Sequence, residues 1–224
     1  MPAPPAPGVA RGRLRIGLLG GSFNPAHGGH RHISIQAMRR LGLDEVWWLV
    51  SPQNPLKPPA GMAGFAARFA RARRAARHPR IRVSDLEVRL GTRYTADTLA
   101  ALKRRFPRYR FVWLMGADNL RQIPAWQHWT KIFTELSIAV FDRPSYSLRA
   151  LAGKAARRYW RFRLRPRQAK RIAALRPPAW VFLHIPLHPA SATAIRARRR
   201  AARAEQAKGD RNYRTTPKKA VHPR

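Results

Sequence analysis

Leu14-Arg15-Ile16-Gly17-Leu18-Leu19-Gly20-Gly21-Ser22-Phe23-Asn24-Pro25-Ala26-His27-Gly28-Gly29-His30 is the stretch whose reading decides the fold. Leu14–Leu19 is a short apolar run of the kind that forms a buried strand. It feeds Gly20-Gly21, where glycine's tolerance of positive φ allows a sharp turn. A helix is expected from Gly28 to Leu41, with Ile33, Ala37 and Leu41 on one face.

The same alternation continues outward from that unit. Val46–Val50, Ile81–Val83, Phe111–Met115, Ser137–Phe141 and Trp180–Ile185 read as further strands, six in all with the first. Helices are expected over Met62–Arg77, Thr95–Phe106, Trp126–Thr134 and Ser191–Ala204. Ser51–Ala60 is a Pro-rich loop. Arg143–Pro178 is Arg-rich and partly helical, without a clear period. Strands alternating with helices imply an α/β fold, a Rossmann-like, doubly wound and mostly parallel sheet. Ligands in such sheets bind beyond the carboxyl ends of the strands, so the loops that follow strands carry the chemistry.

Composition narrows the classes further. The 224 residues are 45% apolar, enough for a core, and contain no cysteine. That excludes disulfides, thiolate nucleophiles and Cys-ligated metals. No apolar run approaches the roughly 20 residues that span a bilayer. Met1–Val9 lacks the basic start and apolar centre of a signal peptide, so a cytoplasmic location is the expectation. We expect a disordered leader over 1–12, one catalytic domain over 13–204 and a basic flexible tail over 205–224. The net charge of +36 comes from 46 Lys and Arg against 10 Asp and Glu. It suits either a nucleic-acid binder or an anion-handling enzyme with solvated basic faces. The basic residues are dispersed over Arg68–Arg77, Lys103–Arg110, Arg157–Arg171 and Arg196–Arg224, which favours the second. Nonspecific contact with polyanions at low salt is expected either way.

Each part of the first loop has a use in phosphate chemistry. Gly20 and Gly21 let a phosphate approach the backbone, and Ser22 can donate a hydrogen bond. A helix N-terminus adds N–H groups and a favourable dipole for anions. His27 and His30 are spaced to share a face of the first turn and can donate to a phosphoryl group as charge develops. Either histidine alone would suit a structural role equally. Asp44 and Glu45 are the nearest acids and give no metal-ligand set. Near the C-terminus, Ser191-Ala192-Thr193-Ala194-Ile195-Arg196 can be a simple capped helix start, or hydroxyls and a guanidinium converging on phosphates. Lys57, Thr95, Asp118, Trp126 and Trp129 lie in or beside other expected loops. Trp47, Trp48 and Trp113 lie in strands and are expected in the core, and Trp129 is a better core candidate than Trp126.

The first loop resembles the GG-(S/T)-F-(D/N)-P-x-H-x-G-H signature of adenylyltransferases in the nucleotidyltransferase superfamily. Ser191–Arg196 resembles that family's S-(S/T)-T-x-I-R motif, with Ala192 departing from it. Three further segments are similar to those of nicotinate-nucleotide adenylyltransferases: Ser51–Lys57, Arg93–Leu99 (Y-T-x-x-T-L) and Met115–Leu120 followed by Trp126 and Trp129 (G-A-D-x-L…W-x-x-W). The resemblance runs from about Ile16 to Arg196.

It implies transfer of AMP from ATP to nicotinate mononucleotide, with Mg²⁺ arriving on ATP. It also implies the site. His27, His30 and Arg196 would be catalytic. Gly20, Gly21, Ser22, Phe23, Lys57, Gly116, Asp118, Ser191 and Thr193 would bind ATP with them. Tyr94, Thr95 and Trp126 would bind the mononucleotide, the indole stacking on the pyridine ring and Asp118 facing the ATP ribose. The alternatives are another acceptor, such as nicotinamide mononucleotide, or a basic nucleic-acid-binding protein.

Overall fold

Three parallel strands lie at the centre of the molecule: β1 (Arg15–Gly21), β2 (Glu45–Val50) and β4 (Arg110–Gly116). In this computed structural model residues 13–52, 61–143, 146–190, 192–198, 201–202 and 205–206 are described. The expected leader and nearly all of the expected tail lie outside them, as do Lys57 and Ser191. Around the central strands run α1 (Gly28–Leu41), α2 (Phe65–Ala76), β3 (Ile81–Ser84), α3 (Leu86–Arg89) and α4 (Thr95–Arg105). After β4 come α5 (Ala117–Gln122), α6 (Trp129–Glu135), β5 (Ser137–Phe141), α7 (Ser147–Leu151), α8 (Lys154–Arg158), β6 (Arg163–Leu164) and β7 (Trp180–Leu183). A 3₁₀ helix, Pro166–Ala174, links β6 to β7, and a last helix covers residues 192–198.

The strands form one sheet in the order β3-β2-β1-β4-β5-β7-β6. Every pairing in it is parallel. Parallel strands need crossovers that cover both faces, which is why Val46–Val50 and Phe111–Met115 read as unbroken apolar runs. Neighbours in a strand then point to opposite layers. Trp47 packs with Leu99, Leu102 and Trp113 on one face, while Trp48 packs with Met38, Leu41 and Leu114 on the other. The buried indole N–H of Trp48 donates to Ser34 Oγ at 2.8 Å.

Two expectations need correction. Trp180–Leu183 is the seventh strand, because Arg163–Leu164 pairs beside it as a sixth. Two residues in an Arg-rich stretch carry no periodic signal. The helix expected from Trp126 starts instead at Trp129. Ile123–Ala125 forms a 3₁₀ turn, Trp126 is extended (φ −83°, ψ 142°) and His128 takes φ 53° before the helix begins.

The order places β1 beside β4, where the chain reverses the direction in which strands are added. All carboxyl ends emerge on one edge, and a crevice is expected at that reversal.

Candidate active site

A cleft of about 470 Å³ opens there. Gly20, Gly21, Ser22, Phe23, His27 and His30 line it from the first loop, and Gly116 and Asp118 from the end of β4. Tyr94 and Thr95 enter from the start of α4, Trp126 from the extended turn, and Thr193 and Arg196 from the last helix. Motifs up to about 170 positions apart in sequence therefore share one cavity.

The glycines act by close approach rather than by turning. β1 continues through Gly21, and the positive φ falls on Phe23 (46°). A side chain at position 20 would run into the ring of Trp113. One at position 116 would meet Asp118 and Arg143. Phe23 is 2% exposed and its ring stacks on Trp48 at 5.1 Å, so the ring is not a ligand-facing group.

His27 and His30 cap α1 reciprocally. The Gly29 N–H donates to His27 Nδ1 at 3.1 Å, and the His27 N–H donates to His30 Nδ1 at 3.2 Å. Both Nδ1 atoms are acceptors, so in the neutral rings the proton sits on Nε2. The rings lie 3.9 Å apart. Burial, then the nearby positive charges of Arg143 and His188, pushes the His27 pKa down to about 4. His27 is thus a neutral donor at pH 7.

Arg196 ties the last helix to the first loop. Its Nη1 donates to the Asn24 carbonyl at 2.7 Å, and its Nη2 to Thr193 Oγ1 at 3.2 Å. Asn24 donates to the Gly61 carbonyl at 3.2 Å, a bond that a carboxylate at this position could not make. Across the cleft, Asp118 Oδ2 accepts from Arg143 at 3.3 Å. Its Oδ1 is buried and has no partner among the described residues. Tyr94, not Thr95, is the N-cap of α4, and no side chain caps it. The first N–H groups of that helix are left beside the cleft.

Arg143 and Glu87 also line the cleft and were missed, while Arg93 and Ser51 line it from segments already singled out but had been given no role. Arg143 lies two residues beyond β5, so the rule that ligands bind at carboxyl ends could have marked it. Nothing local marks Glu87. It is 8% exposed, and burial pushes its carboxyl up to about 7 against a hydrogen bond with Ser51. Among the described residues no three His, Asp or Glu side chains gather as a metal site. Among them, too, no helix is long and apolar enough to cross a membrane.

A doubly wound parallel sheet with a glycine-lined phosphate loop opening onto a histidine-capped helix defines the nucleotidyltransferase class. In agreement, a sequence model described as cytidylyltransferase-like matches residues 18–198. Within that class the chain belongs to the nicotinate-nucleotide adenylyltransferase family. It is 56% identical over 185 residues to a protein of Parvibaculum lavamentivorans named "probable nicotinate-nucleotide adenylyltransferase", covering 83% of this chain and 92% of that one. A protein of the same name from Bradyrhizobium sp. is 55% identical, over 76% of this chain and 88% of its own. Another from Ruegeria pomeroyi is 46% identical, over 87% and 91%. The fold is shared with Plasmodium falciparum nicotinic acid mononucleotide adenylyltransferase complexed with NaAD. There the TM-score is 0.61 at 18% identity, covering 83% of each chain.

Proposed function

We propose that this cleft joins nicotinate mononucleotide to the AMP part of ATP, releasing pyrophosphate and forming deamido-NAD. The observation that carries the reading is the meeting, in one cavity, of a phosphate loop with two Nε2–H imidazoles and an indole beside an uncapped helix start. A phosphate oxygen of the mononucleotide attacks the α-phosphorus of ATP in line. One P–O bond forms, the bond to the bridging α,β oxygen breaks, and the electron pair leaves with pyrophosphate. The protein's part is positioning and charge stabilisation.

His27 and His30 donate through Nε2–H to the α-phosphoryl oxygens as negative charge grows on them. A neutral His27 keeps that donation constant across physiological pH. Arg196 holds the loop through Nη1 and Thr193 through Nη2, and turns its remaining donors to the triphosphate. Ser22 and Thr193 orient the phosphates, with Ser191 and Lys57 assigned the same region from the sequence. Gly20, Gly21 and Gly116 keep the backbone open to them. The unpartnered Oδ1 of Asp118 accepts from a ribose hydroxyl of ATP. Trp126 stacks on the pyridine ring, and Tyr94 and Thr95 present the first N–H groups of α4 to the nicotinate carboxylate. Mg²⁺ would be delivered by ATP rather than by a protein site, since no metal-ligand cluster gathers among the described residues, and it would supply charge neutralisation. A neighbouring cleft of about 270 Å³, lined by His32, Ile185 and His188, shares Ile33 and Arg143 with the first and takes the purine. The charge outside the clefts gives weak, salt-screened contact with polyanions.

The test is pyrophosphate release with ATP and nicotinate mononucleotide, with the product identified by mass. Deamido-NAD is expected. No release with any pyridine mononucleotide would refute the reading.

A further inference from the structure

We infer that Arg68 is a positioning residue for this reaction: its buried guanidinium locks the loop after β1 against Ser51 and Pro52 so that the Phe23 N–H faces the reacting phosphates. This rests on the proposed function. Arg68 sits on α2, is 1% exposed and does not line the cleft. In FAARFARARRAA it looks like one more solvated arginine. Instead, among the described residues, it donates only to backbone carbonyls. Nη1 reaches Ser22 and Ser51, each at 2.7 Å. Nη2 reaches Pro52 at 2.7 Å, and Nε reaches Ala63 at 2.9 Å. No carboxylate pairs with it among the described residues. A charge buried without a counter-ion is a poor way to fill a core, since an apolar side chain of similar volume does that at less cost.

Its bonds explain an otherwise unfavourable loop. Phe23 is at φ 46°, a region that L-residues with a Cβ avoid. The Ser22–Phe23 peptide is trans, since the cis bonds lie elsewhere, at Asn24-Pro25 and Pro177-Pro178. In a trans peptide the N–H points opposite to the C=O. With the Ser22 carbonyl drawn inward to Arg68, the Phe23 N–H points away from the guanidinium, the side on which the cleft lies. Other bonds close the circuit. Arg196 holds the Asn24 carbonyl, and the Asn24 side chain holds Gly61 and Ala63. Arg68 holds Ala63 in turn, and the Ser51 N–H donates to the Gly21 carbonyl at 3.0 Å. The first loop and the Ser51-Pro52 segment after β2 therefore hang on one planar fork. A lysine has a single nitrogen and cannot span four carbonyls.

The experiment uses the full chain with Arg68→Lys and Arg68→Ala. It reads thermal midpoint, kcat, KM for each substrate and, by calorimetry, ATP affinity. Arg68→Lys should fold, lose about 10- to 100-fold in kcat and bind ATP more weakly, since donors to developing charge are misaimed. KM for the mononucleotide should stay within about twofold. In Arg68→Ala, about 10 mM guanidinium, far below denaturing levels, should restore kcat, whereas ammonium at equal ionic strength should not. A purely structural residue would move the midpoint alone. The inference is overturned by folded variants with unchanged kcat and ATP affinity, or by guanidinium restoring the midpoint without kcat. It is also overturned if both variants unfold and guanidinium recovers neither. Wild-type turnover in the same assay tests the underlying reaction separately. If wild type fails to turn over, the comparison of ATP affinities still decides the role of Arg68, and equal affinities overturn it.

Discussion

Glu87→Gln should make the protein's stability depend differently on pH, by an amount that follows from burial. Glu87 is 8% exposed on the wall of the cleft, and its carboxyl is pushed up from 4.5 to about 7, chiefly by desolvation. Its folded value lies above its unfolded one. The stability it contributes is therefore fully present below pH 4.5 and is lost as pH rises through about 7. At about 1.4 kcal/mol per unit, the loss approaches about 3 kcal/mol. Glutamine cannot ionise, so the variant should gain about that much on wild type between pH 4 and pH 8. For a chain of this size this is roughly 6–12 °C in thermal midpoint. His27 has the opposite sign. Its pKa is pushed down from 6.5 to about 4, so its contribution is present above 6.5 and lost as pH falls toward 4. In wild type the two slopes oppose each other where they overlap, and Glu87→Gln exposes that of His27. The assay is thermal unfolding of both proteins at half-unit pH steps. Taking the difference at each pH removes the self-repulsion of the rest of the charge. Parallel midpoint curves would refute the reasoning, because they would mean that Glu87 ionises as an ordinary surface carboxylate.

Other substitutions test other parts of the site. His30→Ala should lower kcat about 10²- to 10³-fold, more than it raises KM for ATP, with the fold retained. A folded, nearly fully active variant in steady-state assays would misplace the site. Asp118→Asn should raise KM for ATP about tenfold, since a charge-assisted bond from ribose is lost, while kcat changes less. Gly20→Ala should cost about 1–3 kcal/mol by driving a methyl group into the buried Trp113 ring. Its thermal midpoint should fall and KM for ATP should rise, since Gly20 also lines the cleft.

Much of this architecture is legible in the sequence because local signals agree. α1 begins and ends where expected, at Gly28 and Leu41, since its apolar face and the αL Gly42 that stops it are both local. The β2 and β4 runs declare their burial directly. Glycine at 20 was legible but its reason was not, because Trp113 reaches it from another strand. The roles of Arg68, Arg143 and Glu87 are tertiary facts. Arg68 is distinguished from neighbouring arginines only by the carbonyls that surround it after folding. β6 and the short helices α7 and α8 exist because packing, not periodicity, fixes them. Trp126 lines the cleft, but from an extended turn rather than from a helix, since His128 adopts φ 53° with no glycine to announce it.

The uncapped start of α4, which lines the same cleft as Trp126, is expected to select an acidic pyridine. The most direct measurement is kcat/KM for nicotinate mononucleotide against nicotinamide mononucleotide, by coupled pyrophosphate release at fixed, saturating ATP. A carboxylate accepting two N–H groups at a helix start gains charge-assisted bonds that a carboxamide lacks, so the acid should be preferred by about tenfold or more. Equal values, or a preference for the amide, would contradict the account.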